Sequence, residues 1–506
     1  MKQEKVIDED RLELGDMPSE EFRRFGREMV DWIADYLAHP ERVPVLSKVK
    51  PGYLKNALPE SAPRQGEPME QILADLDRFI LPGVTHWNHP SFFAYFSVSG
   101  SGPGILGEML SAAFNVNAML WRTSPAATEL EEVTLNWLRR MIGLPENFSG
   151  VIYDTASIST LCAIAAAREA VTGIDVREKG LAYSAGDEQG ARAGIVSAPP
   201  RLRLYANEHA HSSVDKAAIT LGLGLESMRK IGTDSEFRMD YRALERAIEE
   251  DREQGWLPFC VVATVGTTSV TSVDPVDRIA DICERNGLWL HVDAAYGGSA
   301  AVVPEMRYLM EGCERADSLV MNPHKWLFVP IDLSALYTRR MDVLRRAFSL
   351  VPEYLRTTDS DEVQNFMDYG PQLGRRFRAL KLWFVLRYFG EEGIAARIRY
   401  HMRLAREFAT WVEESEDFEL LAPVPLSLVC FRASPAAWRT DETRLEQLNA
   451  RLLDEVNREG RVFLSHTKLN GRFALRLAIG NIRTTHDHVK MAWDELNAVL
   501  ARIRDA

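Results

Sequence analysis

Between Phe259 and Lys325 the sequence alternates short apolar runs with helix-like segments, and few folds can accommodate that alternation. Phe259–Val265, Leu288–Val292 and Ser318–Met321 are each too short for a helix and rich enough in branched residues for a buried strand. Between the first two, Asp274 is placed to cap a helix and Pro275 suits its first position. Val276, Ile279, Ala280 and Cys283 form one face, and Gly287 can end it. Between the second and third, Pro304–Cys313 reads as another helix. Strand, helix, strand, helix, strand returns the chain in one direction each time, so the strands are parallel. Ligands of parallel sheets collect beyond the carboxyl ends of the strands. The first run leads to Thr268, the second to Asp293, and the third through Asn322, Pro323 and His324 to Lys325. A threonine, an acid and an amine therefore converge on one crevice.

Most lysines are solvated surface charges, but Lys325 lies between an apolar strand and the run Trp326-Leu327-Phe328-Val329. Desolvation there favours the neutral, nucleophilic amine. Asp293 either caps the next turn or faces a cationic ring nitrogen and keeps it protonated. Ala294 and Ala295 are small enough for a flat ring to approach. His211 follows the run Leu202–Ala206. A metal site from His209 and His211 lacks a third ligand nearby, so a stacking imidazole is the better reading, and no metal is expected. Thr155-Ala156-Ser157 precede the helical run Leu161–Ala170, where helix amides and the positive dipole end suit a phosphate. Amine, acid, imidazole and phosphate cradle together point to a covalent aldehyde cofactor, and pyridoxal 5′-phosphate fits best. The Gly100–Gly104 stretch lacks dinucleotide-loop spacing and is discounted.

At 506 residues the chain exceeds one ordinary core. Its net charge of −13 argues against nucleic acid and anionic membranes as partners. No apolar run reaches the ~18 residues of a membrane span. The N-terminus has no secretory core. Five scattered cysteines read as reduced thiols in a cytoplasmic protein. Ser19 is placed to cap a first helix with the stripe Phe22, Phe25, Met29, Ile33 and Tyr36, which docks either on its own large domain or on a second subunit. Ser124 and Pro125 open a helix whose expected core face is Leu130, Val133, Trp137, Leu138 and Met141. Beyond about residue 395, two long helices accompany strand-like runs at Leu426–Arg432, Arg461–Ser465 and Arg472–Ala478. The polar segment 349–374 reads as a lid or linker.

Several stretches then resemble one family: EFRRFGREMVDWIADYL at 21–37, PGYL at 51–54, GVTHW at 83–87, FFAYF at 92–96, SPAATELE at 124–131, HVDAAYGGSA at 291–300, NPHKW at 322–326 and LGRRFRALKLWFVLRYFG at 373–390. They resemble the group II pyridoxal-phosphate-dependent amino-acid decarboxylases of the aromatic-L-amino-acid type, over nearly the whole chain. The resemblance implies a type I pyridoxal-enzyme α/β fold, with a mainly parallel seven-stranded sheet flanked by helices. It implies an N-terminal helical arm (1–100), a large cofactor domain (101–395) and a smaller C-terminal α+β domain (396–506). It also implies a homodimer with shared active sites.

By position, Lys325 resembles the lysine that binds the cofactor covalently, Asp293 the partner of its ring nitrogen, His211 the stacked histidine, and Ala295 the residue on the other ring face. Thr268 matches the threonine of a family motif written ATVGTT here. Thr155, Ala156, Ser157, Asn322 and His324 fall where the family holds the phosphate. Tyr354 falls at the loop tyrosine that protonates the α-carbon. Trp87, Tyr95, Phe96 and Ile331 fall in the substrate pocket, as do Asn117 and Met119 from the second subunit. The implied reaction decarboxylates an aromatic L-amino acid of the tryptophan, tyrosine, phenylalanine, dihydroxyphenylalanine or 5-hydroxytryptophan class. The rivals are an aromatic aldehyde synthase of the same fold, in which the loop tyrosine is typically phenylalanine, and an aminotransferase. Asp154 and Ile158 replace a glycine and an acid of the family, so the Asp154 carboxylate has to point away from a phosphate.

Overall fold

A computed structural model describes residues 15–181, 200–350 and 363–504. The chain forms two compact units, residues 1–86 and 87–506. In the first, helix Ser19–Ala38 follows Pro18, and the Ser19 side chain does not cap it. Of the expected stripe only Phe25 is buried, while Phe22 and Met29 are exposed.

The second unit contains a seven-stranded sheet. Its strands are β1 (Ser149–Tyr153), β2 (Arg201–Asn207), β3 (Met228–Ile231), β4 (Trp256–Thr264), β5 (Trp289–Asp293), β6 (Ser318–Met321) and β7 (Ser334–Thr338). They lie in the order β1-β7-β6-β5-β4-β2-β3. All neighbouring pairs are parallel except those that β7 makes with β1 and β6. The central strands are buried on both faces, which is why they read as continuous apolar runs. A four-stranded antiparallel sheet follows: β8 (Phe418–Leu420), β9 (Leu428–Ala433), β10 (Ser465–Leu469) and β11 (Arg472–Ala478), in the order β10-β11-β9-β8. The expected strand at Arg461–Ser465 thus begins only at Ser465. Asn470 and Gly471 both have positive φ and form the tight turn joining β10 to β11, a hairpin signal present in the sequence.

Three local expectations are corrected. The connection from β5 to β6 is not an α-helix but a series of 3₁₀ turns, Gly297–Val302, Pro304–Met310 and Cys313–Arg315. The first is buried all round, and Gly312, at φ +85°, leads into the last. Asp274 does not cap helix Val276–Asn286. Its buried carboxylate accepts from Asn207 Nδ2 (2.7 Å) and the amides of Met239 (2.7 Å) and Thr264 (2.8 Å), tying the carboxyl ends of β2 and β4 together. Burial pushes its pKa up to about 6. Helix Pro125–Met141 buries Glu131, Thr134, Leu135 and Leu138, leaving Val133 and Trp137 exposed. The face turns because Glu131 is drawn inward to Arg375 (2.6 Å) and to the amide of Ile152 on β1 (2.9 Å).

Gly100–Gly104 leads into helix Gly102–Phe114, where glycine permits close packing. A Cβ on Gly104 would lie 2.3 Å from Pro330, and one on Gly107 would lie 2.8 Å from the Lys381 backbone. In the polar segment, residues 363–374 are anchored. Asn365 accepts from the Trp121 amide, and Phe366, Met367 and Asp368 are buried. Residues 351–362 lie outside the described residues.

Gly312 combines a left-handed φ with a close approach to backbone, since its absent Cβ would sit 2.3 Å from the Asp277 amide nitrogen. Gly312→Ala is expected to cost roughly 2–4 kcal/mol, from left-handed strain plus overpacking. Gly222→Ala, at φ +73° with open space around the site, carries only the conformational part. Equilibrium denaturation of both variants measures the difference.

Candidate active site

Parallel register brings the strand ends level, with Thr264 opposite Asp293 and Asp293 opposite Val320. Beyond that edge lies a cavity of about 150 Å³. Every residue expected to hold the cofactor lines it: Thr155, Ala156, Ser157, His211, Thr268, Asp293, Ala295, Asn322, His324 and Lys325. Phe96 lines it too.

Lys325 sits in the short helix Pro323–Trp326 directly after β6. Burial pushes its pKa down, opposed by the Asp293 carboxylate. Its Nζ lies 5.4 Å from the centre of the Phe96 ring. Asp293 ends β5 and accepts from the Ala295 amide through Oδ1 (3.0 Å), which fixes the carboxylate. His211 is also pushed down, first by burial and then by the Lys325 charge. The Ser213 amide donates to its Nδ1 (3.1 Å), so the neutral ring carries its proton on Nε2. His324 accepts the Leu333 amide on Nδ1 (2.9 Å), and burial holds its pKa down at about 3. Asn322 accepts from Ser334 (2.7 Å).

Thr155 precedes helix Ala156–Glu169, whose first turn opens into the cavity. The Asp154 carboxylate is turned aside. It accepts from the Thr155 amide (2.5 Å) and from Gln372 (3.2 Å), and Asp154 is not among the lining residues.

The expected substrate residues are more dispersed. Trp87 stacks on Phe92 (4.4 Å) and Tyr95 (5.8 Å), and both Trp87 and Tyr95 are exposed. Tyr95 holds φ 55°, a strained left-handed conformation for an aromatic residue. Ile331 and Asn117 are exposed and Met119 is half-buried; none of the three lines the cavity. Tyr354 lies outside the described residues.

Sequence reasoning missed Thr264, Gly266 and Tyr296, which also line the cavity. Thr264 is the last residue of β4, a position the strand pattern could have flagged. Its buried hydroxyl has no partner. Gly266 (φ +92°) and Gly297 let two loops touch, for a Cβ on Gly297 would meet the Val265 carbonyl at 2.4 Å. Arg476 was missed as well. It donates to the carbonyls of Thr268 (2.7 Å) and Ser269 (3.1 Å) and to Ser465 (2.9 Å), fixing the Thr268 loop. Behind the site runs a column of rings. Phe96 stacks on Tyr296 (3.9 Å), Tyr296 on Trp326 (4.7 Å), and Trp326 lies parallel to His401 (6.5 Å) while donating to its Nδ1 (3.0 Å).

These groups suit pyridoxal phosphate. A desolvated amine can take its aldehyde, and a fixed carboxylate can face its ring nitrogen. A helix start can receive the phosphate, and the Thr264 hydroxyl is still without a partner. Among the described residues no group of three or more His, Cys, Asp or Glu is arranged to hold a metal ion.

A sequence model described as the pyridoxal-dependent decarboxylase conserved domain matches residues 51–434. The chain is 42% identical to a phenylacetaldehyde synthase of Petunia hybrida, over 94% of this chain and 93% of that one. It is also 42% identical to an aromatic-L-amino-acid decarboxylase of Bos taurus, over 96% and 97%. A crystal structure of Oryza sativa TDC with PLP and tryptamine superposes with a TM-score of 0.90 at 35% identity, covering 97% of this chain and 99% of the other.

The buried imidazoles set a pH limit. His291 and His401 are fully buried and held down at about 4 by burial, so the native state excludes their protons. Their stabilising contribution is complete above the unfolded value near 6.5 and is lost as pH falls from there towards 4. Each costs roughly 3 kcal/mol across that window, at 1.36 kcal/mol per pH unit. Denaturation midpoints should fall over this range. His401→Gln, which keeps an acceptor for Trp326, should flatten the fall by about one imidazole's share.

Proposed function

The chain belongs to the pyridoxal-dependent decarboxylase family and its cofactor is pyridoxal 5′-phosphate; on that premise we propose that it decarboxylates an aromatic L-amino acid to the arylalkylamine and carbon dioxide. The observation that carries the reading is one cavity in which the desolvated Lys325 amine, the fixed Asp293 carboxylate and the Nε2-protonated His211 face each other.

Each side chain has a distinct task. Lys325 would hold the cofactor covalently through its amine. Asp293 keeps a proton on the ring nitrogen through an ion pair. His211 and Ala295 would flank the ring, and Thr155, Ser157, Asn322 and His324 would hold the phosphate. The bound cofactor supplies a conjugated, protonated ring that takes up the electron pair left when carbon dioxide departs. Burial strengthens the ion pair, because water no longer screens it. Phe96, with Trp87 and Tyr95, offers flat apolar surface to an aromatic side chain. Tyr354 delivers the proton to the α-carbon.

A homodimer completes this reading. Helix Gly102–Phe114 exposes Leu106, Met109, Leu110 and Phe114, and Tyr388 is exposed as well, more apolar surface than a lone chain usually leaves in water. Asn117 then reaches the partner's pocket with Met119. The five free cysteines are all buried, in keeping with a reducing, cytoplasmic setting. Among the described residues no helix is long and apolar enough to cross a membrane.

A second reading, an aldehyde synthase, is favoured by the relative of that name. Tyr354 argues for simple decarboxylation.

Incubating the holoenzyme with each aromatic L-amino acid should give amine and carbon dioxide in equal amounts. Aldehyde with peroxide and ammonia instead would establish the second reading. Lys325→Ala should abolish turnover and the covalent cofactor's visible absorbance. Asp293→Asn should slow turnover roughly 10- to 150-fold, the value of a charge-assisted bond of about 1.5–3 kcal/mol. Tyr354→Phe should divert product towards aldehyde, and unchanged amine output would remove Tyr354 from its role.

A further inference from the structure

A second cavity, larger than the one around Lys325, lies apart from it. It has a volume of about 500 Å³ and lies at the opposite edge of the sheet, where β4, β5 and β6 begin and β7 ends. That volume is in the range of small-molecule sites. Its wall carries Arg252, Arg315, Arg339 and Arg340 against two carboxylates, Glu284 and Asp317. Such an excess of cations is unexpected on a chain of net charge −13.

The four guanidiniums are not equally committed. Arg315 is neutralised by Glu284 (2.6 Å) and Asp281 (2.8 Å). Arg339 reaches Asp317 at only 3.6 Å, and that carboxylate already accepts the Leu290 amide (2.9 Å). Among the described residues Arg252 donates to neutral oxygens of Asn286, at 2.5 and 3.2 Å, and has no carboxylate partner. Arg340 has its nearest carboxylate, Asp342, at 4.0 Å and lies 5.9 Å from the ring centre of Trp289. Arg252, with no carboxylate partner among the described residues, and Arg340, only loosely paired with Asp342 and facing the Asp317 shared with Arg339, thus line one concave wall with weakly compensated charge. Guanidinium forks match phosphate oxygens in both geometry and charge. The buried Trp289 ring beneath is pinned by its bond to Ser318 (2.9 Å) and adds a flat surface.

We propose that this cavity binds a phosphate-bearing anion, held chiefly by Arg252 and Arg340. The shared chemistry is the phosphoryl group. Free diphosphate and a nucleotide are its two sources, and a nucleotide would add contact with Trp289.

The test is calorimetric titration of the cofactor-loaded protein, so that the catalytic phosphate cradle is already filled. Inorganic diphosphate is the first probe and ADP the second. Binding of one equivalent per chain at sub-millimolar concentration is expected, weakening as potassium chloride is raised. The double variant Arg252→Ala, Arg340→Ala should lose at least tenfold in affinity while keeping its thermal midpoint and cofactor absorbance. Tighter binding of ADP than of diphosphate assigns the site to nucleotides, and equal or weaker binding assigns it to free phosphates. No binding of either probe at millimolar concentration, or undiminished affinity in the double variant, would overturn the proposal. Because the readout is binding rather than turnover, its failure is separate from any failure of the decarboxylase reading.

Discussion

An amine drawn out of water beside an acid is the constraint around which this protein is built. Burying a charged lysine costs several kcal/mol unless a counter-charge offsets it. Here Asp293 supplies only part of that offset, and burial prevails, so the Lys325 pKa stays depressed. The balance works only if both side chains stay fixed. β5 and β6 provide that, because adjacent parallel strands deliver their last residues at a defined level and spacing. The Ala295 amide then locks the carboxylate, and the column from Phe96 through Tyr296 and Trp326 to His401 backs the lysine.

The same logic explains polar groups buried just behind the cavity. Asp274 sits where a capping residue would, yet its two oxygens receive three donors from three separate segments. Those bonds hold Thr264 and the end of β2, which positions His211. Burial still outweighs them, which is why the carboxylate titrates near 6. Arg476 does for the Thr268 loop what Asp274 does for the strand ends, with carbonyls as its partners. Glycines finish the arrangement. Gly266 and Gly297 let the loops after β4 and β5 meet, and no side chain fits between them.

The parts readable in the sequence are those whose signal is local. Apolar runs bounded by turn residues located β4, β5 and β6, and their ends located Thr268, Asp293 and Lys325. What failed depended on partners far along the chain. Leu130, Val133 and Trp137 look like the core face of helix Pro125–Met141, while the buried Glu131 is explained by the Ile152 amide on β1 and by Arg375, some 240 residues later. Asp274 looked like a cap because its acceptors' donors are on β2, β4 and the Met239 loop. The turns at 297–315 mimic a helix in composition, but packing against Asp277 admits only Gly312 at the bend. The Asn470-Gly471 turn was a local signal and was overlooked.

The two halves of the site rest on different supports, and this bears on how relatives of one fold diverge. The cofactor side is carried by strand ends and a helix start deep in the second unit, where a one-residue change disturbs the core. The residues expected on the substrate side, Trp87, Tyr95, Ile331 and Asn117, are all exposed on a single chain. Surface loops tolerate change far better than strand ends do. Relatives named as decarboxylases and as aldehyde synthases can therefore share about the same identity with this chain. The strained Tyr95 and the exposed apolar helix Gly102–Phe114 both make sense if a second copy covers them, because the contacts it supplies would offset strain and exposure that one chain alone has to bear.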